Sequence, residues 1–245
     1  MTNAAIFLHP NAFDTSGSTL LGRHSAGESF LRGFMRHADV DQFHMWNIAG
    51  APEDKIAGMV RRIEPTSKPI NWIASDNRRA VAQVGVVNIP SPQIDDEAWL
   101  RMPLGSRAYS LCGVTHTTAT ATVMRLIPDL LVAPLEDYDT LICTSAAVRS
   151  GVETQLEIAR AWFNDSFGPR RRPEPQRTTI PLGVNCDDFQ TRDADRAAWR
   201  ERLQIPDDAI VVLYVGRFSI RTKMNPALMA LALEKAAGRT QRQIV

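Results

Sequence analysis

Two basic side chains near the carboxyl end have the types and the spacing to hold an anion. Arg217 follows Gly216 directly, and Lys223 lies six residues further on, just ahead of Asn225-Pro226. A guanidinium offers a planar fork of donors and an ammonium a point charge, so together they suit the two phosphates of a pyrophosphate. The apolar run 209–215 reads as a buried strand that delivers Gly216 and Arg217 to the carboxyl edge of a sheet. Asn225-Pro226 opens a helix whose amino end faces the same place, and anions are favoured there. On spacing alone, two merely solvated loop cations are the better reading, and context is needed to overturn it.

Two further groups of residues carry chemistry. Residues 14–28 form a loop and helix start in which Gly22 and Gly27 permit close backbone approach and Arg23 and His24 add donors. Ser25 and Glu28 have the spacing of a capping box. The segment 111–119 places His116 after an apolar run and beside Thr117 and Thr118, where an imidazole can bond a ligand hydroxyl or serve in a helix cap. His9-Pro10 after the first apolar run either lines a cleft or packs. The acidic groups Asp95-Asp96-Glu97 and Asp187-Asp188 fall at helix starts, as the helix dipole predicts, and imply neither paired-carboxylate hydrolysis nor a metal site.

These residues need a frame that brings them to one edge. Short apolar runs at 6–8, 43–48, 70–74, 84–89, 108–113 and 140–144 alternate with segments of helical period, which argues for a parallel sheet covered by helices on both faces. Helices are expected at 25–38, at 145–163 with Val148, Val152, Leu156, Ala159 and Phe163 on one face, and at 192–203. Asn225-Pro226 starts another that Gly238 ends. The polar, proline-bearing stretch between 168 and 208 looks like an interdomain connection.

The segment 211–226 resembles the donor-domain entry of family-4 glycosyltransferases, which have the two-Rossmann-domain (GT-B) architecture. The pattern there is a strand, Gly-Arg, a Lys about six residues later, and a helix. The resemblance implies that Gly216, Arg217 and Lys223 bind the donor diphosphate and that the two cations stabilise it as leaving group. Upstream, Ile180-Pro181-Leu182-Gly183-Val184-Asn185, followed by Phe189, is similar to the family's interdomain signature Ile-Pro-Asn-Gly-Val-Asp. Leu182 stands where Asn is usual, and Asn185 where Asp is. By the same resemblance Gly22, Arg23 and Gly27 belong to the glycine-rich loop that approaches donor phosphates and acceptor, although a paired Gly-Gly is missing. His116 matches the active-site histidine that contacts the transferred sugar.

The expectations that follow are a Rossmann-like amino-terminal, acceptor-side domain over 1–185, a connection over 186–208, and a truncated donor-binding domain over 209–245. The activity implied is retaining transfer of a sugar from a nucleotide-diphosphate sugar to a hydroxyl acceptor, with no cofactor and no metal. Relatives continue for roughly 130 to 150 residues, a domain-sized unit, which carries a Glu-x7-Glu motif absent here. The chain alone is therefore expected to be catalytically silent or very feeble, and its incomplete second domain to cause self-association or poor solubility.

Composition sets the remaining bounds. With 28 basic and 27 acidic residues the net charge is +1, which gives no footprint for nucleic acid. Arg170-Arg171-Arg172 reads as a solvated loop, with a peripheral membrane contact as the alternative. Three scattered cysteines and the lack of a signal peptide point to the cytoplasm. Competing readings are a noncatalytic module that binds a carbohydrate or protein, and a dinucleotide-dependent oxidoreductase. The latter is disfavoured because no Gly-x-Gly-x-x-Gly follows residues 6–8.

Overall fold

A computed structural model describes residues 3–17, 21–118, 120–169, 172–216, 220 and 224–245. The chain divides into two compact units, Met1–Val184 and Asn185–Val245.

The first unit is built on seven parallel strands: β1 (Ala5–Leu8), β2 (Phe43–Asn47), β3 (Ile70–Ala74), β4 (Val86–Ile89), β5 (Ser110–Thr115), β6 (Thr140–Cys143) and β7 (Gln176–Thr179). Their order in the sheet is β3-β2-β1-β4-β5-β6-β7. The chain runs outward from β1 to β3, then returns to the other side of β1 and runs outward again. β1 and β4 are therefore neighbours at the point where the winding reverses, with Ala5 beside Val87 and Ile6 beside Asn88. A reversal of this kind opens a crevice at the carboxyl ends of the two strands.

Neighbouring residues of one strand serve opposite faces. Met45 belongs to the cluster in which α2 (Gly22–His37) and α3 (Glu53–Ile63) pack Leu31, Met35, Ile56 and Val60 against Ile6, Leu8 and Phe43. Trp46 belongs instead to the cluster of Val81, Ile94, Ala98, Val123, Ile127, Val152 and Leu156. Those residues come from or adjoin α4 (Arg78–Val84), α5 (Asp95–Arg101), α6 (Ala121–Asp129) and α7 (Ala146–Phe167). Burial of each such side chain contributes about 1.5–3 kcal/mol, which is what holds helices to both faces. Local caps set the helix starts: Asn77, Thr120 and Ser145 each accept a bond from a backbone N–H of the first turn. A short helix α1 (Pro10–Phe13) between β1 and α2 is capped in the same way by His9.

Several local expectations are corrected. Helix α2 begins at Gly22, so Ser25 is inside the helix and makes no capping box with Glu28. Glu28 instead accepts from Thr15 Oγ1 and pairs with Arg32 at 2.8 Å. Strand β5 ends at Thr115, two residues beyond the apolar run that marked it, because the run continues in register with β6, Thr115 beside Cys143. Strand β7 has the polar sequence Gln-Arg-Thr-Thr and carries no apolar signal; its pairing with β6 makes it a strand.

The second unit contains a 3-10 turn (Cys186–Phe189), α8 (Asp193–Arg202) and α9 (Pro226–Ala237), which Asn225 caps. Arg200 ties α8 to the following turn by donating to the carbonyls of Pro206, Asp207 and Ala209. Residues 211–215 do not form the expected strand. Ile210 makes one isolated bridge to Ile244, while Leu213 and Val215 are 80% and 85% exposed. Apolar, β-rich sequence becomes a strand only where a neighbour pairs with it.

Candidate functional site

The carboxyl ends of β1, β4 and β5 open into a cavity of 580 Å³ inside the first unit. Its size lies in the range of small-molecule sites. Phe7, Ile89 and Val114 bring apolar strand surface to it, and the amino-terminal turns of α2 and the start of α6 close its sides. The polar lining comes from the loops that leave the strands: His9 and Asn11 after β1, Ser91 and Gln93 after β4, and His116, Thr117 and Thr120 after β5.

His116 follows the last residue of β5 and is half-buried at the cavity. Burial pushes its pKa below the usual imidazole value, a bond to the Val114 backbone opposes that, and the nearby Arg23 charge lowers it further. The ring is accordingly neutral near pH 7, and one nitrogen can accept while the other donates. His116 does not cap α6. That helix starts at Ala121, and its cap is Thr120, whose Oγ1 accepts from Val123 N at 3.3 Å. His9 both lines the cavity and caps α1, its Nδ1 accepting from Asn11 N at 3.2 Å.

Arg23 lies in the first turn of α2, where its guanidinium adds to the positive end of the helix dipole. It is the sole charged side chain among the described lining residues, and no carboxylate joins it. Such a lining accepts a neutral, hydroxyl-bearing ligand or one that carries a negative group at the Arg23 side, and it disfavours a cation.

The glycines divide by role. A Cβ at Gly27 would stand 2.0 Å from the carbonyl oxygen of Ala12, so Gly27 lets α2 lie against α1 and thereby shapes the wall it lines. A Cβ at Gly22 would meet nothing within 4 Å, and Gly22 is not part of the lining. Gly216 belongs to the second unit. Arg217 and Lys223 lie outside the described residues.

Residues that the sequence did not single out complete the site. Asn88, on β4 at the winding reversal, is 6% exposed and lines the cavity, and its Oδ1 has no hydrogen-bond partner. A polar residue inside an otherwise apolar strand run was the available signal. Among the described residues no group of three His, Cys, Asp or Glu side chains could hold a metal ion.

The strongest ionic cluster of the first unit lies elsewhere. Arg101 and Asp139 are both fully buried and make a two-pronged pair, Nη1 to Oδ1 at 2.9 Å and Nη2 to Oδ2 at 2.8 Å. Asp139 also accepts from Leu111 N at 2.8 Å and Glu136 N at 2.9 Å. Arg101 donates to the carbonyls of Tyr109 and Pro134. Tyr109 and Asp139 immediately precede β5 and β6, so the cluster sits at the amino-terminal edge of the sheet, opposite the cavity. Its role is to clamp strand entries. Beside it, burial pushes the Tyr109 hydroxyl pKa up, reinforced by its bond to Glu97.

The sequence matches no protein-family model and no curated protein. The fold is similar to that of HepE from Anabaena. One HepE crystal structure, in complex with UDP, aligns with a TM-score of 0.56 and 12% identity over 95% of this chain. A second, in complex with UDP and glucose, aligns with a TM-score of 0.56 and 13% identity over 94% of this chain. In both, the chain spans 58% of the neighbour's length. At that identity the likeness shows a shared Rossmann-like α/β fold.

Proposed function

We propose that this chain carries the acceptor-side half of a glycosyltransferase that moves a sugar from a nucleotide-diphosphate sugar to a hydroxyl acceptor with retention of configuration. The observation that carries the reading is the cavity at the winding reversal, lined by neutral hydrogen-bonding groups around His116, with Arg23 as the one charge among its described lining residues. A sugar offers several hydroxyls that both donate and accept, and a neutral imidazole flanked by Thr117 and Ser91 can satisfy them without a carboxylate. The fold likeness to a protein crystallised with UDP and glucose supports the same reading.

In this reading the His116 ring bonds a hydroxyl of the transferred sugar, and Arg23 and the α2 amino end face the phosphates. Arg217 and Lys223, by their spacing and the family resemblance, hold the diphosphate and take up the charge that grows on it as the glycosidic bond breaks. Protein cations then do the work that a divalent ion would otherwise do, and no cofactor is called for.

Calorimetric titration with UDP, GDP and their common sugar conjugates tests this, alongside an Arg217→Ala, Lys223→Ala double variant and an Arg23→Ala variant. Saturable binding of a nucleotide diphosphate, lost in the double variant and weakened at least several-fold by Arg23→Ala, is the expected result. Binding of free sugars or glycans with no nucleotide affinity would overturn the transferase reading. It would favour instead a noncatalytic carbohydrate-binding module, a second reading that the cavity supports because it lies wholly within the first unit.

A further inference from the structure

Strand β4 reads Val-Val-Asn-Ile, and Asn88 is its one polar side chain. Val87 and Ile89 belong to the cluster under α4 to α7. Alternation along the strand puts Asn88 on the opposite face, beside Ile6 of β1 and Cys112 of β5. Ile6 packs in the cluster that α2 covers, so Asn88 stands beneath that helix, at the point where the winding reverses. It is 6% exposed and nevertheless lines the 580 Å³ cavity, one residue further in than Ile89 at the strand's end.

An amide at this place is unfavourable for the fold. Asparagine is depleted in strands, and a buried amide oxygen without a partner forfeits the bond it makes with water. The side chain returns little in exchange. Its Nδ2 reaches the Cys112 Sγ at 4.0 Å, and a thiol sulfur is a weak acceptor. Among the described residues its Oδ1 has no hydrogen-bond partner. The ladders that hold β4 between β1 and β5 are made by the backbone and do not need the amide. A leucine would serve the sheet as well or better, so the acceptor is explained by what enters the cavity.

We propose that Asn88 is the specificity-determining residue of this cavity, its Oδ1 accepting a hydrogen bond from one hydroxyl of a neutral sugar that reaches in beneath α2. The inference rests on the cavity being a sugar site, as proposed above, and it holds whether the sugar arrives free or on a nucleotide. An amide oxygen accepts and does not donate, so the ligand group facing it is a donor. Arg23 is the one charge among the described lining residues, which disfavours a cationic amine and leaves a neutral hydroxyl. His116, at the exit of β5, serves a second hydroxyl. The occupant therefore presents hydroxyls on two sides, as a sugar ring does. Selection follows from burial: a sugar that lacks the hydroxyl fills the same space, shuts out water and leaves Oδ1 unpaired.

Titration of the full chain by calorimetry and ligand-observed NMR tests the proposal. The probes are UDP, UDP-glucose, GDP-mannose and the methyl glycosides of glucose, mannose and galactose, and each sugar that binds is repeated as its single-deoxy forms. One deoxy form should bind the parent about tenfold more weakly than its hydroxylated counterpart. Asn88→Leu should weaken the hydroxylated sugar by a similar factor, bind that deoxy form as well as the parent does, and leave any affinity for UDP unchanged. A merely structural residue would instead weaken every probe alike. The variant should also melt no lower than the parent, and Asn88→Val takes its place if leucine does not fit. Lower melting of both variants overturns the proposal by showing that the amide holds the fold. Sugar binding that ignores the substitution, or that no deoxy form weakens, overturns the role of Asn88 and leaves the sugar site standing. No binding of any sugar-bearing probe overturns the sugar site and this inference with it.

Discussion

Replacing Asp139 by alanine should come close to unfolding the first unit. The side chain is fully buried and accepts four hydrogen bonds of 2.8 to 2.9 Å, two from Arg101 and two from the backbone N–H groups of Leu111 and Glu136. Truncation leaves the Arg101 guanidinium buried without its counter-charge, which costs about 3–5 kcal/mol where it has been measured for buried pairs. The orphaned Leu111 and Glu136 donors add a desolvation penalty of about 1–3 kcal/mol each, not fully additive with the first. A loss of about 4–6 kcal/mol stands against a total stability of about 5–15 kcal/mol for a domain of this size. Urea denaturation followed by circular dichroism measures it. A double-mutant cycle separates the pair from its surroundings: Arg101→Met in the Asp139→Ala background should cost at least about 1.5 kcal/mol less than in the parent, since it removes the uncompensated charge. A midpoint for Asp139→Ala within about 1 kcal/mol of the parent, or strict additivity in the cycle, would refute the clamp as an energetic unit.

Gly27→Ala should destabilise by about 1–3 kcal/mol, because its Cβ would stand 2.0 Å from the Ala12 carbonyl oxygen and α2 must move. Gly22→Ala has open space and should be neutral or stabilising by up to about 1 kcal/mol; thermal melts of the two variants check the contrast. Protonation of His116 is disfavoured in the folded chain relative to the ordinary imidazole value of about 6.5, chiefly by burial. The unfolded chain therefore binds more protons between that value and the lower folded one. Stability should be fully present above pH 6.5 and decline as the pH falls below it, then level off. His116→Gln should flatten part of that slope in melts taken from pH 7.5 to 5, and an unchanged slope would exclude the buried neutral imidazole. His44, also shifted down by burial, should contribute the remainder.

Several features were legible from the sequence because their causes are local. Apolar runs of strand length, separated by helical periods, already implied a parallel sheet with helices on both faces, since strands buried on both sides need no alternation. The helix that Ser145 caps and the one that Asn225-Pro226 opens were readable from a few neighbouring residues. The strand-then-loop position of His116 followed from chain order alone.

What tertiary structure decided depends on partners far along the chain. Gln176–Thr179 is a strand because β6 offers it an edge along its whole length, whereas residues 211–215, far more apolar, are held to the chain end only by the bond from Val212 N to the Val245 carbonyl and form no strand. Only the winding reversal between β1 and β4 joins His9, Arg23, Asn88 and His116 at one cavity, and no spacing in the sequence encodes that meeting. Arg101 and Asp139 are 38 residues apart and look like surface charges until the fold buries both. Hydrogen bonds and ion pairs act over a few ångströms of space, whereas sequence patterns report on a few neighbouring residues of chain. The elements were therefore readable one by one, while the cavity and the clamp came into being only with the assembled sheet.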